Sequence, residues 1–169
     1  MNEMNEMNEI NEKQTFLNIC MDIEGLCADL YHYYSKIYED YPEASSLWKK
    51  AALEEENHQR QFELASRLWE ETDFEVMHES MKRAHSIQFK LVELIKNIKS
   101  IRPDLLTAVS KAVEMEEILA DLHVQTSLKF KEESMQKLFH ALSEADHDHV
   151  ADLQRFRSIL YLPLSEMKG

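Results

Sequence analysis

The chain has little of what breaks a helix. Its 169 residues include only 2 Gly and 3 Pro, and turn residues this scarce beside long periodic segments point to an all-α fold. There are two cysteines, Cys20 and Cys27, and no CxxC pair. They sit seven residues apart on one expected helix, about 10 Å along its axis, too far to bridge. Few unpaired thiols fit a reducing, cytoplasmic compartment. No apolar run reaches the roughly 18 residues of a membrane span, and the opening MNEMNEMNEINEK lacks the apolar core of a signal peptide. Basic residues are also short: 19 against 32 acidic ones, for a formal net charge of -13. That balance disfavours nucleic acid and anionic membranes as partners.

What is present is 44% hydrophobic residues, enough for one domain with a sizeable core. The expected helices cover 13–39, the PEASSLW stretch to about 71, 79–99, 103–130 and 133–157. Ser45 or Ser46 is the expected cap of the second, and Pro103 a first helical residue of the fourth. Residues 1–12 form a low-complexity extension, either the frayed start of the first helix or a disordered tail. Residues 13–157 form the bundle and 158–169 a tail.

The inner faces carry the chemistry. Steps of three and four run through Leu17, Cys20, Glu24, Cys27, Tyr31, Tyr34 and Tyr38, the spacing of a seam facing a bundle core. The second helix gives Trp48, Ala51, Glu55, His58, Phe62, Ala65 and Trp69. Leu105, Val109, Ala112, Glu116, Leu119, His123 and Phe130 follow the same rule, as do, less cleanly, Leu138, Ala141, Glu144, His147 and Ala151. The stripe Ile87, Leu91, Leu94, Ile95 and Ile98 lies on 79–99. There is also an internal echo: EGLCADLY from Glu24 matches EEILADLH from Glu116, and LEEENH matches LSEADH.

Each of these four seams aims a glutamate inward. A lone buried carboxylate costs several kcal/mol unless paired or coordinated. Two divalent cations would cancel four such charges. Residues three apart share a helix face, so Glu55 and His58, or Glu144 and His147, can reach neighbouring ligand positions. Carboxylate and imidazole together suit iron or manganese, where thiolates would suit zinc or iron–sulfur. Two ExxH pairs with one glutamate from each remaining helix is the ligand set of di-iron carboxylate bundles. A third ExxH, Glu75 to His78, falls in a polar break and reads as chance. The bland alternative is an acidic bundle whose inner polar groups pair with one another, an interaction module that has lost its metal.

Through EGLCADLY, EENH, EEILADLH and EADH the chain resembles the ferritin-like superfamily, and rubrerythrin-type proteins in particular. The resemblance covers roughly residues 13–157. It implies a four-helix bundle with a long, partly helical crossover between bundle helices 2 and 3. It also implies two iron ions, with manganese possible at either position. Glu55 and Glu144 resemble bridging carboxylates, Glu24 and Glu116 terminal ones, and His58 and His147 one imidazole per metal. Glu117 and Glu114 remain alternatives to Glu116, because many rubrerythrins carry a glutamate pair of that spacing. Tyr31 and His123 are expected beside the ligands, with Asp29 and Asp121 as candidate acceptors for the imidazoles. The implied activity is redox chemistry toward peroxide or dioxygen, or iron oxidation and sequestration. With no rubredoxin-like CxxC pairs, a separate electron donor is needed. A homodimer is the expected assembly.

Overall fold

The computed structural model describes residues 3–68, 77–130 and 132–161, with side chains of the first helix from Thr15 onward. These residues form five helices and no strand: α1 (Glu3–Ile37), α2 (Pro42–Leu68), α3 (Met77–Ser100), α4 (Leu105–Ser127) and α5 (Glu133–Leu160). The described residues are all-helical, in line with the scarcity of Gly and Pro. Helix runs on through most of the MNE repeats, from Glu3. Trp69, the break after α2 and Glu75 of the third ExxH lie outside the described residues, as do residues 162–169.

Several helix ends differ by a few residues from the sequence expectation, α5 running on to Leu160 among them, and two helix starts differ for a local reason. α2 starts at Pro42, whose fixed φ and missing N–H suit a first turn. Ser45 is therefore already inside the helix, and its hydroxyl donates to the Ser35 carbonyl at 3.0 Å, tying α2 to the end of α1. At the start of α4 the cap is Asp104, not a helical Pro103. Its carboxylate accepts from the Thr107 backbone at 2.8 Å and the Thr107 hydroxyl at 2.7 Å, satisfying a helix-end donor.

α1 packs along α2 as one hairpin and α4 along α5 as another, while α3 lies mainly on α1 and touches α4. Ile87, Leu91 and Ile98 of the α3 stripe are buried there, with Ala84. The two hairpins approach each other chiefly through side chains. Phe16, Phe62 and Phe139 close one end of the shared interior, with Phe62 and Phe139 edge-on at 5.3 Å. Tyr31, Tyr34 and Tyr38 with Trp48 close the other, Tyr34 and Trp48 lying 4.9 Å apart. Between these aromatic ends lies a layer of buried acids and imidazoles. Among the described residues no helix is long and apolar enough to cross a membrane.

Candidate metal centre

The expected seams of α1, α2 and α4 are the buried faces. Glu24, Glu55 and Glu116 have no exposed surface, and His58 and His123 are nearly as enclosed. Glu114 and Glu117 both point to solvent, where Glu114 meets Lys111 and Glu117 meets Gln154. Of the three α4 candidates, then, Glu116 reaches the interior.

α5 differs from the expectation. Glu144 and His147 are exposed. Glu144 lies 3.7 Å from the surface residue His140, and the His147 ring is bonded to the Ser143 carbonyl of its own helix. The residues that turn inward are Asp146 and His149. Two positions correspond to about 200° around a helix, so this is the opposite face. The buried residues Met135, Phe139, Leu142, Asp146, His149 and Leu153 step by four and three without a break. Their apolar members have no other place to go, and they fix the rotation of α5 against the pull of the ExxH pattern. The sequence did hold this signal. Asp146 to His149 repeats the acid-to-imidazole spacing of Glu55 to His58, with an aspartate in place of the glutamate.

The inward groups form two overlapping clusters, Glu24–Glu55–His58 and Glu55–Glu116–His149, each of which could hold a metal ion. Glu55 belongs to both. Its Oε2 lies 3.2 Å from His58 Nδ1 and its Oε1 lies 2.9 Å from His149 Nδ1. Glu24 Oε2 is 3.4 Å from the same His58 nitrogen, and Glu116 Oε2 is 3.5 Å from His149 Nδ1. Two ligands bound to one ion at roughly 2.0–2.2 Å stand about 2.8–3.5 Å apart at ordinary bond angles. All four separations fall in that window.

The angles also speak for converging lone pairs. Glu55 Oε1 and His149 Nδ1 are close enough to bond, yet neither has a hydrogen bond of acceptable geometry. Both oxygens of Glu24 and Oε2 of Glu116 are likewise buried without one. Unsatisfied buried carboxylate oxygens are costly and rare. Their concentration in this one layer fits a missing common partner better than four separate defects. An all oxygen and imidazole donor set suits iron or manganese. The thiols are no part of it. Cys20 and Cys27 are buried and free, and burial, with the nearby carboxylates, holds both well above the ordinary thiol range.

Electrostatics follow the same layout. Burial alone would raise Glu55, but the His149 and His58 imidazoles beside it outweigh burial and lower that carboxyl. Burial pushes Glu24 well above its ordinary value, against the pull of His58. Burial, then the charge of Glu55, raises Glu116 to about 7. Burial disfavours charge on the imidazoles too, yet Glu24 and Glu55 raise His58 to about 10, and Glu116 and Glu55 raise His149 to about 12. Without metal the layer would hold protons where ions would otherwise sit.

Neighbouring side chains hold the cluster in place. The Tyr31 hydroxyl donates to Glu116 Oε1, while the Tyr31 ring stacks on Trp48 at 5.5 Å. His149 turns its outer Nε2 to Glu54 at 2.8 Å. Asp146 bonds His123 Nδ1 at 2.7 Å. Asp29 and Asp121 are exposed, Asp121 being paired with Arg83. Glu54 and Asp146, not these two, are the imidazole partners.

The class that fold and site define is an all-helical protein with buried carboxylate–imidazole groups able to hold metal. No protein-family model, curated protein or solved structure matches the chain.

Proposed function

We propose that the chain is a ferritin-like dinuclear metal protein. In this reading α1, α2, α4 and α5 are the four bundle helices, and α3 lies in the crossover between the second and third. The site holds two iron ions, or iron with manganese. The observation that supports this most is the position of Glu55, with one oxygen in each of two buried clusters. A carboxylate so placed can bridge two ions; a network of simple ion pairs has no need of the arrangement.

Two ferrous ions here would supply one electron each, which with two protons reduces hydrogen peroxide to two waters, or dioxygen to hydrogen peroxide. The chain's own residues prepare the place. Glu24 and His58 close one side, and Glu116 and His149 the other. Tyr31 holds a proton at Glu116 Oε1, beside the pair. Buried aromatic rings flank the site at both ends. A separate electron donor returns the pair to its reduced state.

Anaerobic ferrous titration followed by stopped-flow mixing with peroxide, then with dioxygen, tests this. Two ferrous ions per chain and oxidation faster than that of free iron are expected. A chain that binds no iron or manganese leaves only the self-paired acidic bundle. The ferroxidase alternative uses the same residues and separates by outcome: oxidised iron would accumulate beyond two per chain.

A further inference from the structure

Both ends of the shared interior are packed with buried rings, but of different kinds. The end beside His123 is phenylalanine throughout: Phe16, Phe62, Phe130 and Phe139. The end that reaches Glu116 is tyrosine and tryptophan: Tyr31, Tyr34, Tyr38 and Trp48. Packing alone does not ask for that difference. Among the described residues the Tyr34 hydroxyl and Trp48 Nε1 are buried with no hydrogen-bond partner. Leaving such groups unpaired is costly, and a phenylalanine at 34 would have avoided it. An unsatisfied buried group calls for another reason, a redox role among them. Phenol and indole rings give up an electron far more readily than a phenyl ring.

The oxidisable rings are also continuous. The Tyr31 hydroxyl donates to Glu116 Oε1, and its ring stacks on Trp48 with centroids 5.5 Å apart. Trp48 lies 4.9 Å from Tyr34. Two tyrosines border Tyr34 in turn. Tyr38, at 5.9 Å, is capped by the Arg102 guanidinium 5.2 Å over its ring, and a cation there makes an electron harder to remove. Tyr33, at 6.4 Å, carries no such cap and is only half-buried. It is the open way to the surface.

We propose that Tyr31, Trp48, Tyr34 and Tyr33 form a path for single electrons between the metal site and the surface. This inference rests on the two-metal reading above. The path matters when peroxide meets a centre holding one ferrous ion in place of two. That ion gives one electron and becomes ferric. The second electron comes from the indole ring of Trp48 by way of Tyr31. With two protons from solvent, the O–O bond breaks and hydrogen peroxide leaves as two waters. Trp48 is left as a radical cation. A one-electron reductant of ascorbate's class at the surface returns the electron through Tyr33 and Tyr34. A half-loaded centre thereby completes the two-electron reduction, where a single electron would release hydroxyl radical.

The path is tested first in the metal-free full chain. Cys20 and Cys27 are buried, so a thiol-linked ruthenium polypyridyl label goes to Lys36→Cys alone. Position 36 is exposed and one helix turn from Tyr33. Flash oxidation of the label should give the transient absorption of an indole radical. Trp48→Phe should abolish it, which excludes Trp69, the other tryptophan, as its source. Tyr34→Phe should abolish it too, yet keep Tm at or above that of the labelled parent, since it removes only an unpaired hydroxyl. No indole radical in the parent, or one that survives in Tyr34→Phe, would overturn the path. The second arm loads the unlabelled chain anaerobically with one ferrous ion and freeze-quenches it after peroxide. Electron paramagnetic resonance should show an indole radical that ascorbate removes and Trp48→Phe lacks. Bound iron that is oxidised without this radical would overturn the link to the site. A chain that binds no iron would overturn the two-metal reading beneath the proposal, whatever the flash experiment gives.

Discussion

The α1–α2 and α4–α5 halves of the centre share a plan and differ in detail. Each gives an acid from its first helix and an acid–x–x–His from its second. In the first half the second acid is Glu55, long enough to put one oxygen beside each cluster. In the second half it is Asp146, which stops at His123. The first half contributes a phenol that donates to Glu116, and the second an imidazole whose Nε2 faces Glu24 Oε1 at 3.4 Å. One methylene and one ring exchange turn a near-repeat in sequence into two unlike surroundings. Side-chain reach decides which acid lies in both clusters and which supports an imidazole.

Removing the shared residue should break both halves together. Glu55→Ala is expected to bring bound metal from two ions per chain toward none, read by elemental analysis after loading and desalting. The matching loss in the second half, Asp146→Ala, should leave most metal in place at high concentration. Equal losses from the two variants would show the halves to be equivalent after all.

The next effect is confined to one position. His149→Ala should leave about one ion per chain, and His58→Ala likewise, each emptying its own cluster. Glu144→Ala and His147→Ala should change neither metal content nor stability by more than about 0.5 kcal/mol, as for other solvent-facing substitutions. Loss of an ion in either surface variant would return the ligand role to the other face of α5.

That contrast shows where the sequence was legible. Three inner faces could be read because their periodicity and their chemistry agreed: Glu24, Glu55 with His58, and Glu116 all lie in unbroken seams that the structure buries. On α5 the two cues disagreed. The run Asp146, His147, Asp148, His149 presents acids and imidazoles in alternation, so a ligand-like pair can be drawn on either face. The ExxH spelling favoured Glu144 and His147. The apolar residues settle the rotation, since Phe139, Leu142 and Leu153 must be buried together. The offset of Asp146 from Glu55 also matches that of Glu116 from Glu24 to within one residue. The pairing of Glu54 with His149 and of Asp146 with His123 was beyond reach, because it depends on how helices face one another across the bundle.

Acidity sharpens the comparison between loaded and metal-free protein. His58 moves from 6.5 to about 10 and His149 from 6.5 to about 12. A group raised on folding stabilises fully below its unfolded value and loses that contribution as pH climbs through its folded value. Glu116, raised from 4.5 to about 7, adds a loss of the same sign at lower pH. Glu55, lowered on folding, acts oppositely, its contribution falling away in acid. Metal-free protein should thus lose stability as pH rises from 6.5 toward 10. Metal binding requires neutral imidazoles and ionised carboxylates, so it should strengthen over that range. Chemical denaturation at several pH values, with and without two equivalents of metal, should give slopes of opposite sign. Parallel slopes would mean that metal and protons do not compete for these groups.

The smallest effect concerns how each half is closed. In the α4–α5 hairpin the buried Ser143 hydroxyl donates to the Ala120 carbonyl at 3.0 Å. In the α1–α2 hairpin Gln59 lies over Gly25 and donates to the Met21 carbonyl at 3.3 Å. A Cβ on Gly25 would meet Gln59 Nε2 at 2.7 Å, but that atom is the far end of a flexible side chain and can swing away. Gly25→Ala gains about 1 kcal/mol of helix propensity and gives up a hydrogen bond worth about 0.5–1.5 kcal/mol. The two nearly cancel, so Tm should stay within about 2 °C of wild type. Ser143→Ala gains less, about 0.5 kcal/mol of helix propensity, against a buried hydrogen bond, so it should cost up to about 1 kcal/mol, with Tm lower by about 1–4 °C. Paired thermal unfolding of the metal-free variants reads the difference. A fall for Gly25→Ala as large as that for Ser143→Ala would show Gln59 to be fixed over Gly25, so that both hairpins are closed by rigid contacts.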